Sequence, residues 1–150
     1  MTIDDDAPLD EVRTLMREYV AGLPVPVEIP DFGAELAGLP GPYARPRGRL
    51  LVVRAGETPA GCVALRPFSD DMGELKRLYV REAFRGRGFA RRLVSGVIEA
   101  ADHEGYRRLR LDTHRSMDAA QTLYRSFGFR EIPAYWDHPV PDVVFFELEL

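Results

Sequence analysis

Six consecutive residues, Arg85-Gly86-Arg87-Gly88-Phe89-Ala90, lie between a strand-like pattern that ends at Val80 and a helix-like pattern that begins near Phe89. A chain that leaves a strand through small residues and enters a helix exposes backbone N–H groups with no partner of their own, and the helix dipole adds to them. Such a junction is an anion site suited to a phosphate or pyrophosphate. Positive charge gathers at the same place. Of the 20 basic residues, seven lie between Lys76 and Arg92 against Glu82 alone, a local +6 in a chain whose formal net charge is −4. The remainder therefore carries −10. Nineteen of the 20 are arginine, Lys76 being the sole lysine. A GC-rich genome explains that choice of residue type, but not the clustering. Taken by itself, the Gly-x-Gly also fits a tight turn with a solvated basic face. It is not Gly-x-Gly-x-x-Gly, and no Gly-Lys-Ser/Thr follows, so the dinucleotide and P-loop readings are weak.

Other chemistries find little support. Cys62 is the only cysteine, which excludes a disulfide framework, and His103, His114 and His138 have no metal-ligand spacing, so no metal site is expected. The acidic balance argues against a nucleic-acid coat. No apolar run approaches the roughly 18 residues of a spanning helix, and the start Met1-Thr2-Ile3-Asp4-Asp5-Asp6 is unlike a signal peptide. A soluble, cytoplasmic protein is expected.

The elements that must position the junction follow from periodicity. Leu9, Val12, Leu15, Met16, Tyr19, Val20 and Leu23 recur at three- and four-residue spacing and predict a helix that Gly22 and Pro24 stop. A second short helix spans Phe32 to Leu39. Arg49–Ala55, Ala60–Pro67 and Met72–Val80 read as three strands of an antiparallel meander, with Leu75, Arg77 and Tyr79 alternating against Glu74, Lys76 and Leu78. From Gly88 to Gly105 the period changes to that of a helix. A strand over Arg107–Thr113, a helix with Ser116 as its N-cap, a short strand from Phe129 and a closing strand over Val143–Leu150 complete the chain. Fold class is α/β: a largely antiparallel central sheet with helices on both faces. Residues 1–150 form a single domain, with N-terminal helices and loop over 1–48 and the core over 49–150.

Within this frame the chain resembles the GNAT superfamily of acetyl-coenzyme A-dependent N-acetyltransferases. Arg85-Gly86-Arg87-Gly88-Phe89-Ala90 matches that family's Gln/Arg-x-x-Gly-x-Gly/Ala pyrophosphate motif, and Leu78-Tyr79-Val80 resembles the strand that pairs with the pantetheine arm. Ala120 through Leu123-Tyr124 to Gly128-Phe129 resembles the Ala-x-x-Leu-Tyr-x-x-x-Gly-Phe segment. The likeness covers about residues 49 to 150. It departs from the pattern twice. Met117 stands where the fourth-helix motif usually has Asn, and only Thr2 to Asp4 remain for the strand that usually precedes the first helix.

The resemblance implies acetyl transfer from acetyl-coenzyme A to a primary amine, by direct attack in a ternary complex. The chemistry needs a route for the amine proton, a donor for the carbonyl oxygen and a proton for the departing thiolate. Tyr124 is the implied acid, and Glu74 the candidate base, with water as an alternative route. A backbone N–H near Leu78 is the candidate oxyanion donor. The cofactor residues are Leu78, Tyr79, Val80, Arg85, Gly86, Arg87, Gly88, Phe89 and Ala90, with Arg81, Arg91 and Arg92 adding charge around them. Cys62 reads as a buried apolar residue rather than a nucleophile. Asp112 and Thr113 either border the cleft or cap a turn. Tyr135, Trp136 and Asp137 are acceptor candidates, and His138 is a weaker base. The expected partner is a small-molecule amine, with neither nucleic acid nor membrane, and homodimerisation is left open. The rival readings are a non-catalytic acyl-coenzyme A sensor and an enzyme acting on protein or peptide amines.

Overall fold

Leucine- and valine-rich runs in the middle of the chain pair into the expected meander, and the computed structural model describes it together with all other residues except 25–28 and 30. The strands are β1 (Thr2–Asp4), β2 (Arg49–Ala55), β3 (Thr58–Pro67), β4 (Met72–Val80), β5 (Arg108–His114), β6 (Arg130–Ile132) and β7 (Val143–Glu149). The helices are α1 (Leu9–Ala21), α2 (Phe32–Ala37), α3 (Phe89–His103) and α4 (Asp118–Ser126). One seven-stranded sheet runs in the order β1-β2-β3-β4-β5-β7-β6. Only the β4–β5 pair is parallel. The strand before the first helix does form, since three residues suffice when Ile3 pairs with Val53 at the edge of β2.

Strand alternation builds two cores, one on each side of the sheet. Leu93, Val94 and Val97 of α3 pack on Leu51, Leu65, Leu109, Leu111 and Phe146. Val12, Leu15 and Met16 of α1 pack on Val52, Cys62 and Ala64 from the opposite face. Helices therefore cover both faces of a largely antiparallel sheet, as the periodicity predicts. The expected Ser116 cap is replaced. Met117 occupies the N-cap of α4 and makes no capping hydrogen bond, while the Ser116 hydroxyl is engaged by His114 Nδ1 at 2.7 Å.

The alternation expected along β4 fails at one point. Cys62 stands opposite Tyr79 and Ala64 opposite Lys76, so Val63 alone faces both Arg77 and Leu78. This is a β-bulge, and Arg77 accommodates it with φ 61°. The extra residue turns Arg77 towards α2, where Nε and Nη2 donate to the two oxygens of Glu35 at 3.0 and 2.8 Å. Arg77 thus joins Glu74, Lys76 and Tyr79 on the α1–α2 side. The parallel ladder ends just before the bulge: β4 pairs with β5 over Met72–Glu74 against Arg108–Arg110, and among the described residues the two strands pair no further.

Gly61 holds β3 against the upper part of β4, where an added Cβ would lie 2.3 Å from the Tyr79 carbonyl oxygen and 3.1 Å from Val80 Cα. Backbone on backbone cannot give way without separating the strands. Gly61→Ala is expected to cost about 2–3 kcal/mol, as overpacking does, and to lower Tm by roughly 4–12 °C at this chain length. Thermal unfolding followed by circular dichroism measures it.

Candidate active site

Where β4 and β5 part, the end of β4 leads through a turn into α3. Gly86 and Gly88 adopt φ 73° and 84°, the left-handed region that L side chains avoid. Gly88 is the N-cap of α3, and no side chain caps that terminus. A Cβ at either glycine would meet nothing within 4 Å, so both present open backbone to whatever approaches. The 15-residue helix α3 thus directs its positive end and its first amides into a cleft of about 490 Å³. Leu78, Tyr79, Val80, Arg85, Gly86, Gly88, Phe89 and Ala90 line one side of it, and Met117, Ala120 and Leu123 line the other.

Arg87 lies outside this lining, with its guanidinium carbon 5.6 and 5.7 Å from the ring centres of Phe84 and Phe89. Arg81 is also a correction to the expected charge cradle. It is forked onto Glu18 of α1 at 2.9 and 2.8 Å and holds that carboxyl below its usual range. Lys76 faces Asp112, and Arg77 is closed on Glu35. The other four members of the cluster, Arg85, Arg87, Arg91 and Arg92, form no ion pair among the described residues, so the surplus charge concentrates around the α3 terminus. Arg85 is steered by a bond from its Nε to the Val80 carbonyl at 2.9 Å. Open backbone, an uncapped helix start and unpaired arginines together fit a pyrophosphate.

A second cavity of about 480 Å³ adjoins the first and shares Tyr19, Leu23, Leu78, Met117 and Ala120 with it. Glu74, Lys76, Asp112, Tyr124, Tyr135, Trp136 and His138 line it. Glu74 is 1% exposed. Its Oε1 accepts a hydrogen bond from Arg66 Nε at 2.8 Å, with Arg66 Nη2 at an ion-pair distance of 2.8 Å, and its Oε2 accepts one from the Tyr135 hydroxyl at 2.7 Å. Tyr124 is 4% exposed, and its hydroxyl makes no hydrogen bond to another described residue. Burial raises its pKa, as it does for Tyr135, where the Glu74 charge adds to the effect; both phenols stay protonated. Cys62 lies in the sheet with its thiol pushed up to about 12 by burial, an inert group as expected.

The aromatic loop after β6 closes over this cavity. Trp136 Nε1 donates to Asp112 Oδ2 at 3.1 Å, and the Trp136 ring lies 4.5 Å from that of His138. His138 Nδ1 accepts the Val140 backbone N–H at 3.0 Å, which assigns the proton of the neutral ring to Nε2, facing Asp112 Oδ1 at 3.8 Å. His138 thereby ties the loop backbone at Val140 to the side of the cavity that holds Asp112. Asp137 is exposed and lies outside the lining of either cavity, unlike its two neighbours. Tyr19 escaped the sequence reading because it sits within the apolar stripe of α1. Lys76 carried one signal: it is the sole lysine among the basic residues.

Residues 12–129 match the family model described as Acetyltransferase (GNAT) family. The chain belongs to that family. An uncharacterized N-acetyltransferase of Schizosaccharomyces pombe is 36% identical over 144 residues, covering 95% of this chain and 88% of its own. An acetyltransferase structure from Streptococcus agalactiae superposes with a TM-score of 0.82 at 19% identity, covering 99% of this chain and 98% of that one. A GNAT structure from Elizabethkingia anophelis with acetyl-CoA bound has a TM-score of 0.61 at 25% identity, covering 69% and 77%. This GNAT enzyme is an acetyl-CoA-dependent N-acetyltransferase.

Two outcomes follow from the geometry. Gly88→Val forces a β-branched residue into φ 84° and covers the α3 amides. It is expected to weaken coenzyme A binding by about tenfold or more, the loss of at least one charge-assisted hydrogen bond, measured by titration calorimetry. Burial lowers the His138 pKa, with the Asp112 charge opposing that shift. The unfolded chain therefore binds a proton as pH falls through about 6.5 while the folded chain does not. Stability present above that pH is lost below it. Denaturant unfolding at pH 7.5 and 5.5 is expected to show a smaller loss for His138→Asn than for the wild type.

Proposed function

We propose that this enzyme acetylates the primary amine of a small molecule by direct attack in a ternary complex. The observation that carries the reading is the meeting of the two cavities at Leu78, Met117 and Ala120, which lets a thioester in the first face an amine in the second. The loop through Tyr135, Trp136 and His138 walls the second cavity at a size suited to a small acceptor. Direct attack is favoured because Cys62, the only thiol, is buried in the sheet at 2% exposure and cannot serve as a carrier of the acetyl group.

Acetyl-coenzyme A lies with its pyrophosphate on the α3 terminus and its pantetheine arm along the part of β4 that β5 has left free. A backbone N–H beside Leu78, at the bulge, donates to the carbonyl oxygen of the thioester. Tyr135 and Glu74 act as a proton relay. The Tyr135 hydroxyl takes a proton from the amine as it passes its own to Glu74 Oε2, across the 2.7 Å bond already in place. Burial disfavours a free tyrosinate, so both protons move together. The amine nitrogen forms its bond to the carbonyl carbon, the carbon–sulfur bond breaks, and Tyr124 gives its proton to the departing thiolate. Tyr124 then recovers a proton from water, and Glu74 releases the relayed proton to water, which restores both groups. Met117, in the place of the family's usual Asn, offers its thioether to the junction and no amide.

Tyr124→Phe is expected to lower kcat about a hundredfold, within the usual range for loss of a positioned acid, with coenzyme A affinity unchanged. Glu74→Gln is expected to lower kcat/KM on the order of a hundredfold, as loss of a positioned base does. Thiol release from acetyl-coenzyme A measures both, and wild-type turnover in either variant overturns the corresponding role.

A further inference from the structure

Among the described residues, three arginine or lysine ion pairs line the acceptor cavity, and they are not alike. Arg66 closes on Glu74 with an Nε hydrogen bond and an Nη2 ion-pair contact, both of 2.8 Å, and Arg77 closes on Glu35 with bonds of 3.0 and 2.8 Å. Lys76 Nζ stands 3.8 Å from Asp112 Oδ2, beyond hydrogen-bond distance. The Lys76 ammonium donates no hydrogen bond to a described residue, and Asp112 Oδ1 accepts none. Both side chains are nonetheless about nine-tenths buried, at 11% and 12% exposure. This is the one pair in the cavity, among the described residues, that keeps both a positive and a negative group unfilled.

The residue type explains why it stays open. The other 19 basic positions of the chain hold arginine. A guanidinium at position 76 would present a rigid fork and close on the carboxylate, as Arg66 and Arg77 do; an ammonium is a compact point charge that need not. An open pair of opposite charges is complementary to a ligand that itself carries opposite charges close together. The nitrogen and carboxylate carbon of an α-amino acid are about 2.5 Å apart, from the N–Cα and Cα–C bond lengths.

Resting on the reading of a small primary-amine acceptor, we infer that the acceptor is a free amino acid, its carboxylate received by Lys76 and its ammonium by Asp112 Oδ1. Asp112 holds one N–H of the ammonium, which sheds one proton to water to become the attacking amine, and a second N–H faces the Tyr135–Glu74 relay. Trp136 Nε1 donates to Asp112 Oδ2 and keeps its carboxylate turned to the cavity, while His138 Nε2 stands 3.8 Å from Oδ1. Lys76 and Asp112 thereby select the acceptor.

The test compares amino acids with the amines that lack only the carboxylate: L-phenylalanine with phenethylamine, and L-leucine with isoamylamine. Thiol release from acetyl-coenzyme A is the readout. In the wild type kcat/KM is expected to favour the amino acid on the order of tenfold to a hundredfold, the value of one hydrogen-bonded charge pair. In Lys76→Met the ratio falls to about one, through KM. Lys76→Arg keeps the charge but closes on Asp112, and is expected to lose the preference as well. Coenzyme A binding by calorimetry reports that each variant is folded. Equal use of both partners of a pair by the wild type, or an unchanged ratio in Lys76→Met, overturns the inference. Turnover of polyamines or peptides without amino acids overturns it while leaving amine acetylation intact. Bound coenzyme A with no turnover of any amine overturns both.

Discussion

Arg77 in the left-handed region, held there by Glu35, is the constraint on which the site depends. A non-glycine residue with φ 61° inside a strand carries backbone strain of about 1–3 kcal/mol. The forked pair with α2 offsets that strain. Burial opposes the charge of Glu35, yet the Arg77 hydrogen bonds hold its carboxyl below the usual range. The parallel ladder with β5 ends after Glu74, just before the bulge, and strand edge is left free where a sheet would ordinarily continue. Both cavities open from that parting. Replacing the bulge by regular alternation would send Arg77 to the opposite face and leave Glu35 without its partner.

Charge in this chain is sorted by pairing. Within the basic cluster, Lys76, Arg77 and Arg81 each face a carboxylate brought by a different element: Asp112 from β5, Glu35 from α2 and Glu18 from α1. Those pairs tie the two short N-terminal helices and β5 to β4. The arginines that remain lie on the turn into α3, where the helix dipole and open amides already favour an anion. One sequence segment thus does two jobs, and the division falls at the end of β4. The proposed acid–base groups all line the acceptor cavity: Tyr124 from α4, Glu74 from β4 and Tyr135 from the loop, the last two joined by a hydrogen bond.

Much of this was legible in the chain because it rests on local rules. Gly86 and Gly88 announce positive φ, apolar spacing announces α1, α3 and α4, and the meander follows from two β-rich runs around Gly56. Tyr124 stood out by its place in a motif. What escaped was non-local. Ser116 met His114 while Met117 took the cap, Arg81 went to Glu18, and Asp137 turned outward while its neighbours faced inward. The break in alternation at Arg77 has no local marker, since neither Arg77 nor Leu78 is a residue that ordinarily signals a bulge.

The sequence by itself determined the elements, their order, the glycine-lined helix start and the family, because propensity, periodicity and turn chemistry act over a few residues. Tertiary structure alone decided which charges are spent. Glu35, Glu18 and Asp112 lie 42, 63 and 36 residues from their basic partners, and only the folded sheet determines whether a pair closes at 2.8 Å or stays open at 3.8 Å. The cluster that looked uniform along the chain thereby becomes a scaffold, an anion site and one open pair.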